Sequence, residues 1–203
     1  MYRPPYSKTA DTNLALDLIR EYPLGLLISN FEQKLEANYL PFLVEQDGED
    51  TYLLAHCAKA NPQWRRLVGD VLVSFQGPQR YISPTIYVGK NQVPTWNYAA
   101  VQVHGVAEHF SDSESLKKVL NDSVRFFEAG NGTNWSYDLP PKLQESLESA
   151  IVGIRIKVLN VEAKFKLSQN RGSEDYDAVS NFLSNSNKES DRTMYNWMIK
   201  SRS

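Results

Sequence analysis

Residues 24–56, which read LGLLISNFEQKLEANYLPFLVEQDGEDTYLLAH, decide the fold. Three apolar runs in this stretch have the length of strands, namely Leu24 to Ser29, Leu35 to Val44 and Thr51 to His56. Polar turns such as Gln46-Asp47-Gly48-Glu49-Asp50 separate them. Parallel strands need a crossover of roughly a dozen residues or more, so these short connections predict antiparallel pairing.

Strand patterns continue on the C-terminal side of this stretch. Val71 to Phe75, Tyr81 to Tyr87 and Trp96 to His109 bring the count to about six strands in the first part of the chain. Val152 to Val158 and Ala163 to Leu167 then alternate apolar and polar residues, as half-buried strands do.

Helices are predicted around these strands from their capping signals. One helix follows the N-cap Asp11 and ends before Pro23, and a short one runs from Asn61-Pro62 through Leu67. A third begins at the Ser111/Glu114 capping-box spacing and ends at about Glu128. A fourth begins at Pro141, and a fifth spans Ser173 to Leu183. Strands and helices together predict the α+β class, with a mostly antiparallel barrel core and helices at its periphery.

The composition is that of an ordinary globular protein. The 203 residues are 41% hydrophobic, and 22 Lys and Arg against 24 Asp and Glu give a formal charge of -2, so no overall field draws the chain to nucleic acid or to a membrane. Cys57 is the only cysteine, which excludes an internal disulfide and a multi-cysteine zinc site. No apolar run has the length of a membrane span and the first residues lack a signal-peptide core, so the expected location is the cytoplasm.

The first candidate site follows the strand that contains His56. Ala60-Asn61-Pro62-Gln63-Trp64-Arg65-Arg66 predicts a helix start just after Lys59, and backbone N–H groups beside a cation suit a phosphate. The same residues also fit a capped connector helix next to an ordinary surface lysine.

Two later stretches contain side chains that packing alone does not select. Ser83 and Thr85 would present two hydroxyls on one face of an extended chain, although the intervening proline equally fits an edge strand. Trp96, Asn97 and Tyr98 place an indole, an amide and a phenol side by side. That set suits a flat heteroaromatic ligand or, alternatively, two core aromatics entering a strand.

Other chemistries lack a motif. The histidines show no metal-ligand spacing, and no metal site is predicted. Cys57 would face away from His56, which argues against a Cys/His nucleophile pair. G-x-S-x-G, P-loop and G-x-G-x-x-G motifs are absent from the sequence, so no catalytic residue is assigned. Lys164, Lys166 and Arg171 fit phosphate contacts, and a solvated strand face explains Lys164 and Lys166 equally well.

Read in order, these stretches resemble the PaiB-type family of FMN-binding negative transcriptional regulators. The resemblance covers nearly all of the chain up to about Asn170, and it is carried in order by Met1-Tyr2-Arg3-Pro4, Leu40-Pro41-Phe42, Ala60-Asn61-Pro62-Gln63-Trp64, Gly77-Pro78, Tyr81-Ile82-Ser83-Pro84, Val93-Pro94-Thr95-Trp96-Asn97-Tyr98, Ile151-Val152-Gly153 and Lys164-Phe165-Lys166-Leu167-Ser168-Gln169-Asn170. It implies a six-stranded antiparallel split barrel that binds FMN over residues 1–170, with residues 171–203 as a C-terminal helical extension. It also implies a homodimer with its flavin sites at the subunit interface.

The resemblance assigns one group of residues to the phosphate and the ring of FMN. Lys59, together with His56, would serve the FMN phosphate. Asn38, Tyr39 and Leu40 would lie along the isoalloxazine ring through backbone and side-chain contacts.

A second group would complete the site. Ser83 and Thr85 would donate hydrogen bonds to the flavin. Trp96, Asn97 and Tyr98 would close the site, with the other subunit as one source of these residues.

The sequence departs from the family pattern at several positions. Members of the family commonly have histidine where Tyr39, Gln79 and Gln102 stand, and tryptophan where Ile86 stands. Imidazoles titrate near neutrality and glutamine does not, so we expect FMN binding with poor NAD(P)H oxidation.

Two classes of function remain open. In one, the protein is a flavin-linked regulator or binding module; in the other, it is an FMN-dependent oxidoreductase whose cofactor supplies the electron chemistry. DNA contact would have to be local or indirect, because the sequence has no helix-turn-helix signature and a negative net charge. The amphipathic segment Met194 to Ile199 is expected to need a partner, which is a second reason to expect a homodimer.

Overall fold

The computed structural model describes residues 1–7, 11–67 and 69–202. Its helices are α1 (Thr12–Glu21), α2 (Ser113–Asn131), α3 (Pro141–Ser149), α4 (Ser173–Ser184) and α5 (Glu189–Lys200). Its strands are β1 (Leu24–Phe31), β2 (Lys34–Pro41), β3 (Leu43–Asp47), β4 (Asp50–Ala58), β5 (Asp70–Ile82), β6 (Thr95–Phe110) and β7 (Ile151–Lys166). Short 3-10 helices occur at Pro5–Ser7, Pro62–Arg66 and Pro84–Ile86.

The strands form one sheet in the order β2-β1-β5-β6-β7-β4-β3. The α+β class and the antiparallel sheet are therefore confirmed, whereas the count of six strands is wrong, because the sheet has seven strands among the described residues. The stretch Leu35 to Val44 is two strands rather than one. The ladder ends at Phe42, which lies opposite Pro23 in the β1–β2 register. Its N–H donates to Pro23 O at 2.9 Å, but Pro23 has no N–H to donate in return.

A second correction concerns Tyr81 to Tyr87. β5 ends at Ile82, and the 3-10 helix Pro84–Ile86 replaces the predicted strand. Proline cannot donate to a ladder, and the Ser83 hydroxyl accepts from Thr85 N at 3.3 Å, which starts a turn instead.

The helix ends mostly follow the predicted signals. Asp11 caps α1 by accepting from Asn13 N at 2.8 Å. Asp112, not Ser111, caps α2, because its carboxylate accepts from Ser115 N at 2.9 Å. Gly132 ends α2 with a φ of 69°, a left-handed conformation that glycine adopts without strain.

The described residues form two compact units. The central unit consists of Pro23–Ser74 and Val103–Asn160. In it, β1 and β2 form a hairpin whose two turn residues, Glu32 and Gln33, have φ of 50° and 63°, the conformation that suits a tight antiparallel turn. β4 lies between β3 and β7 in antiparallel register, which fixes the place where β4 ends.

The terminal unit consists of Met1–Tyr22, Phe75–Gln102 and Val161–Ser203. Here α5 is packed within the chain, because Met194, Trp197 and Met198 are at most 2% exposed. Trp197 stacks on Phe165 at 5.6 Å between ring centroids and donates from Nε1 to Glu21 Oε1 at 3.0 Å. The expectation that the apolar face of Met194 to Ile199 needs a partner is therefore wrong for these buried side chains.

Candidate functional site

Gln63 organises the 3-10 helix that follows β4 in the central unit. The Asn61 side chain caps this helix by accepting from Gln63 N at 3.0 Å. The Gln63 side chain is 2% exposed, and its Nε2 donates to Ser29 Oγ at 3.0 Å and to two backbone oxygens of β1 and β2 at 3.3 Å each. Its Oε1 accepts from Asn38 Nδ2 at 3.0 Å. One buried amide thus ties the helix to the β1–β2 hairpin, a role that the sequence did not assign to Gln63.

Lys59 combines a fixed backbone with an unpaired ammonium. Its N–H donates to Ala150 O at 2.8 Å, and its carbonyl accepts from Trp64 Nε1 at 3.1 Å. The Trp64 ring is itself held edge-on against His109, with 5.1 Å between the centroids. Within residues 1–7, 11–67 and 69–202, no ion pair or hydrogen bond involves Lys59 Nζ. The backbone of this lysine at the end of β4 is therefore fixed, while its charge is not neutralised within the described residues.

His56 and Cys57 face opposite sides of β4. Burial lowers the pKa of the half-buried His56, so its imidazole resists protonation. Cys57 is buried, and burial raises the pKa of its thiol. His56 can therefore donate a hydrogen bond to an anion more readily than it can supply a charge. Cys57 is a packed thiol on the opposite side of the strand, as the alternation of side chains predicts.

The three candidate residues of β2 differ in what they offer a ligand. The Asn38 amide is half-buried and occupied by Gln63. Tyr39 is 66% exposed, while the Leu40 side chain is 8% exposed and belongs to the core. Tyr39 is consequently the β2 side chain that is available, and Leu40 could reach a ligand through its backbone.

In the terminal unit, Ser83 and Thr85 are brought together by a turn and not by an extended chain. Their hydroxyl oxygens are 2.9 Å apart, and either can be the donor. Ser83 also caps the 3-10 helix Pro84–Ile86, so its oxygen already accepts from Thr85 N. The predicted proximity of the two hydroxyls is correct, but its reason is the cap geometry.

Asn97 is enclosed in the terminal unit rather than presented on its surface. It is 1% exposed, its Nδ2 donates to Ser168 Oγ at 2.9 Å, and the Ser168 hydroxyl donates to Asn97 Oδ1 at 3.1 Å. Ser168 has a φ of 66°, so the pair also stabilises a left-handed residue directly after Leu167. The amide of Asn97 has its partners inside the protein.

Trp96 and Tyr98, on either side of Asn97, point to the other face of β6. The Trp96 indole is 53% exposed and meets Tyr81 edge-on, with 5.9 Å between the centroids. Tyr98 is half-buried, and Lys164 Nζ lies 5.5 Å from its ring centroid. These two aromatics therefore remain accessible in the way that a stacking ligand requires.

The replaced positions of the terminal unit carry no group that titrates near neutrality. Gln79 is exposed, Gln102 is half-buried on β6, and Ile86 is half-buried at the end of its 3-10 helix. Nothing in these side chains can transfer a proton at neutral pH.

A cleft of about 400 Å³ also lies within the central unit, lined by residues of β3, β4, β6, β7 and α2. Its charges are paired with one another. Lys118 Nζ is 2.8 Å from Glu45, and Arg155 is 3.1 Å from Asp47 while its guanidinium lies 3.5 Å from the Tyr52 ring centroid. These cations are neutralised, unlike Lys59, so the cleft is a weaker candidate for an anionic ligand.

The described part of the chain has neither a cluster of metal-ligating side chains nor a helix suited to crossing a membrane. It contains no group of three or more His, Cys, Asp or Glu side chains placed to hold a metal ion. None of its helices has the length and apolar character that a membrane crossing requires.

Comparison with known proteins adds to this geometry. Residues 1–160 match the family model described as "Putative FMN-binding domain". The protein named "Protease synthase and sporulation protein PAI 2" from Bacillus subtilis (strain 168) is 38% identical over 188 residues, which are 91% of this chain and 90% of that protein.

Solved structures show the same fold at low sequence identity. An FAD and heme binding protein from Mycobacterium smegmatis has a TM-score of 0.59 and 15% identity, covering 79% of this chain and 73% of its own. A flavocytochrome from Azotobacter vinelandii has a TM-score of 0.57 and 16% identity, covering 87% of this chain and 78% of its own.

Proposed function

We propose that this chain, which belongs to the PaiB-type family of FMN-binding domains, binds FMN and acts as a flavin-linked regulator or binding module. Family membership supports the cofactor, and the likeness to solved flavoproteins supports the fold. The finer form of that proposal is a split barrel that assembles as a homodimer with a flavin site at each subunit interface.

The observation that carries the proposal is the unpaired ammonium of Lys59. The backbone of Lys59 is fixed by hydrogen bonds to Ala150 and Trp64, and its charge has no carboxylate partner in the described residues. A phosphate monoester carries a charge near -2 at neutral pH and would neutralise this cation. The residues present therefore fit the phosphate end of FMN.

The other candidate residues divide into those that contact the flavin and those that support the site. In the central unit, we assign a hydrogen bond to the flavin to neutral His56 and ring contacts to Tyr39 and Leu40. In the terminal unit, hydrogen bonds from the Ser83 and Thr85 hydroxyls and ring contacts from Trp96 and Tyr98 remain predictions from the family resemblance. Asn38 and Asn97 are positioning residues in this proposal, because their amides are bound to Gln63 and Ser168. When bound, FMN supplies the electron chemistry through its isoalloxazine ring.

Lys59→Gln tests the proposal. FMN and riboflavin have the same ring, but only FMN has a phosphate, so the variant should weaken FMN and leave riboflavin within a factor of about two. A hydrogen bond to a charged group contributes about 1.5 to 3 kcal/mol, which predicts a 10- to 150-fold loss of FMN affinity. Flavin fluorescence quenching measures both ligands.

Lys34→Gln is the matched control, because Lys34 is an exposed lysine of β2 in the same unit. It removes the same charge and should leave both affinities unchanged. Equal losses of FMN and riboflavin in Lys59→Gln would show that Lys59 acts through folding or ring contacts, and no binding of either flavin by the unmodified protein would contradict the proposed function itself.

Turnover distinguishes a regulator from an FMN-dependent oxidoreductase. With the protein saturated with FMN, we expect NADH and NADPH consumption at the rate of free FMN, because Gln79 and Gln102 cannot transfer protons and burial keeps His56 neutral. Turnover of about 1 per second or faster, the low end of usual enzyme rates, would favour the oxidoreductase.

A further inference from the structure

The terminal unit contains a group of cations that the proposed flavin site does not use. Lys164 and Lys166 lie two residues apart on one face of β7, and Arg171 follows the strand. Lys166 Nζ donates to Trp96 O at 2.8 Å and to Thr95 Oγ1. In the described ranges, none of the three cations forms an ion pair with a carboxylate.

The carboxylates of this unit that could neutralise them are engaged elsewhere. Glu162, on the same face of β7, binds the N-terminal amine of Met1 and, at 3.1 Å, Arg3. Asp175 accepts from the N–H groups of Val88 and Gly89 at 2.9 and 3.0 Å and from Gln92 Nε2 at 2.9 Å. Gln92 Oε1 accepts from Arg171 at 2.7 Å, so Arg171 is linked to Asp175 through a neutral amide and not by an ion pair.

The lack of a counter-charge affects the protonation of Lys166. Burial, and then the positive charges of Lys164 and Arg171, lower the pKa of Lys166. Like charges held together without a counter-charge destabilise the folded state, and an anion relieves that repulsion. In a chain with a formal charge of -2, this concentration of cations therefore points to an anionic ligand.

Accessible aromatic rings lie beside these cations. Trp96, whose carbonyl holds Lys166, is 53% exposed, and its edge-on partner Tyr81 is 43% exposed. Lys164 Nζ lies 5.5 Å from the ring centroids of both Tyr2 and Tyr98. Exposed rings next to unpaired cations provide stacking for a flat base and charge for its phosphates.

We propose that Tyr81, Trp96, Lys164, Lys166 and Arg171 form a binding face for a soluble nucleotide with more than one phosphate, distinct from the flavin phosphate assigned to Lys59. The heterocyclic base stacks on Trp96, and the phosphates contact the three cations. The face lies entirely within the terminal unit. The family resemblance assigns the Trp96 ring to the flavin, so we expect a nucleotide on this face to compete with FMN for that ring.

Calorimetric titration of the full-length protein without FMN tests this face with three probes. NADP⁺ has bases and three phosphates, pyrophosphate has no ring, and adenosine has no phosphate. We expect NADP⁺ to bind most tightly, pyrophosphate more weakly and adenosine most weakly, with the first two weakened by added salt.

Two substitutions separate the phosphate contact from the ring contact. Lys166→Gln should weaken NADP⁺ and pyrophosphate by about tenfold or more, the effect of losing one charged hydrogen bond. Trp96→Leu should weaken NADP⁺ and leave pyrophosphate unchanged. Lys157→Gln is the matched control, because Lys157 lies on the same strand but is paired with Asp50 at 2.7 Å, and it should change neither.

Several results would overturn the proposal. One is unchanged NADP⁺ affinity in Lys166→Gln; if that variant lowers Tm, Lys164→Gln gives the same comparison. Another is an equal loss in Lys157→Gln, which would show a general charge effect. A third is a loss of FMN in Lys166→Gln with FMN retained in Lys59→Gln, because the face would then hold the flavin phosphate itself. The titrations with NADP⁺, pyrophosphate and adenosine contain no FMN, so the first two results are independent of whether the protein binds FMN as proposed.

Discussion

Replacing Gln63 by alanine should strongly destabilise the folded protein, because this side chain is 2% exposed and makes four hydrogen bonds. The contacts with Ser29 and Asn38 are both 3.0 Å long, whereas the two with backbone oxygens are 3.3 Å long and weaker. Ser29 is 4% exposed and would lose its donor.

The size of the effect follows from these contacts. A buried polar group left without a partner costs about 1 to 3 kcal/mol, and each buried methylene that is lost costs about 0.8 kcal/mol. We therefore expect the free energy of unfolding to fall by roughly 2 to 4 kcal/mol. For a protein of this size, that corresponds to a decrease in Tm of about 4 to 16 °C.

Urea unfolding followed by circular dichroism measures the change, with the slope of the free energy against denaturant as a check on two-state behaviour. Gln144→Ala is the matched control: Gln144 is half-buried and donates one hydrogen bond, to Tyr137 O at 3.0 Å. It should cost about 1 kcal/mol or less. If Gln63→Ala destabilises the protein no more than Gln144→Ala, the view of Gln63 as the tie between the 3-10 helix and the hairpin is refuted.

Asn97→Ala should cost roughly 2 to 3 kcal/mol in urea unfolding, because it strands the buried Ser168 hydroxyl; unchanged stability with loss of flavin binding would instead place Asn97 in the ligand site. Burial lowers the pKa of His56, so below a pH of about 6.5 the unfolded state binds a proton that the folded state resists. The free energy of unfolding therefore decreases as the pH is lowered. His56→Gln should flatten that fall in Tm between about pH 7.5 and 5, relative to the same substitution at exposed His104, and an unchanged slope would contradict the effect of burial. Sedimentation at micromolar concentration should give a dimer, and a monomer both with and without FMN would exclude the proposed homodimer.

The parts of the fold that the sequence predicted are those set by local signals. Antiparallel pairing of β1 to β4 follows from short turns, and the helices begin where capping residues stand, as at Asp11 and Asn61. The break at Phe42 escaped prediction because it depends on Pro23, which lies opposite Phe42 across the hairpin and has no N–H to donate. The burial of α5 likewise escaped prediction, because it depends on contacts of Trp197 with Phe165 and Glu21, which are distant in sequence.

The same distinction separates the residues of the candidate site. Lys59 was identified from its position before a capped helix, a pattern within a few residues. The role of Gln63 depends on Ser29 and Asn38, which precede it by 34 and 25 residues, and that of Asn97 depends on Ser168, 71 residues away. No spacing rule relates such partners, because the sheet and not the chain brings them together.

The alternation of strands gives these observations one consequence for the site. Neighbouring side chains of a strand point to opposite faces, so three consecutive residues of a half-buried strand cannot all present side chains to one ligand. On β6, Trp96 and Tyr98 face outward while Asn97 is 1% exposed, and on β2, Tyr39 is 66% exposed while Leu40 is in the core. A family motif that spans such a stretch therefore combines residues for ligand contact with residues for packing. Substitution of Trp96 or Tyr39 should alter ligand affinity at nearly constant stability, whereas substitution of Asn97 should alter stability first, because only the buried residue has its hydrogen bonds inside the protein.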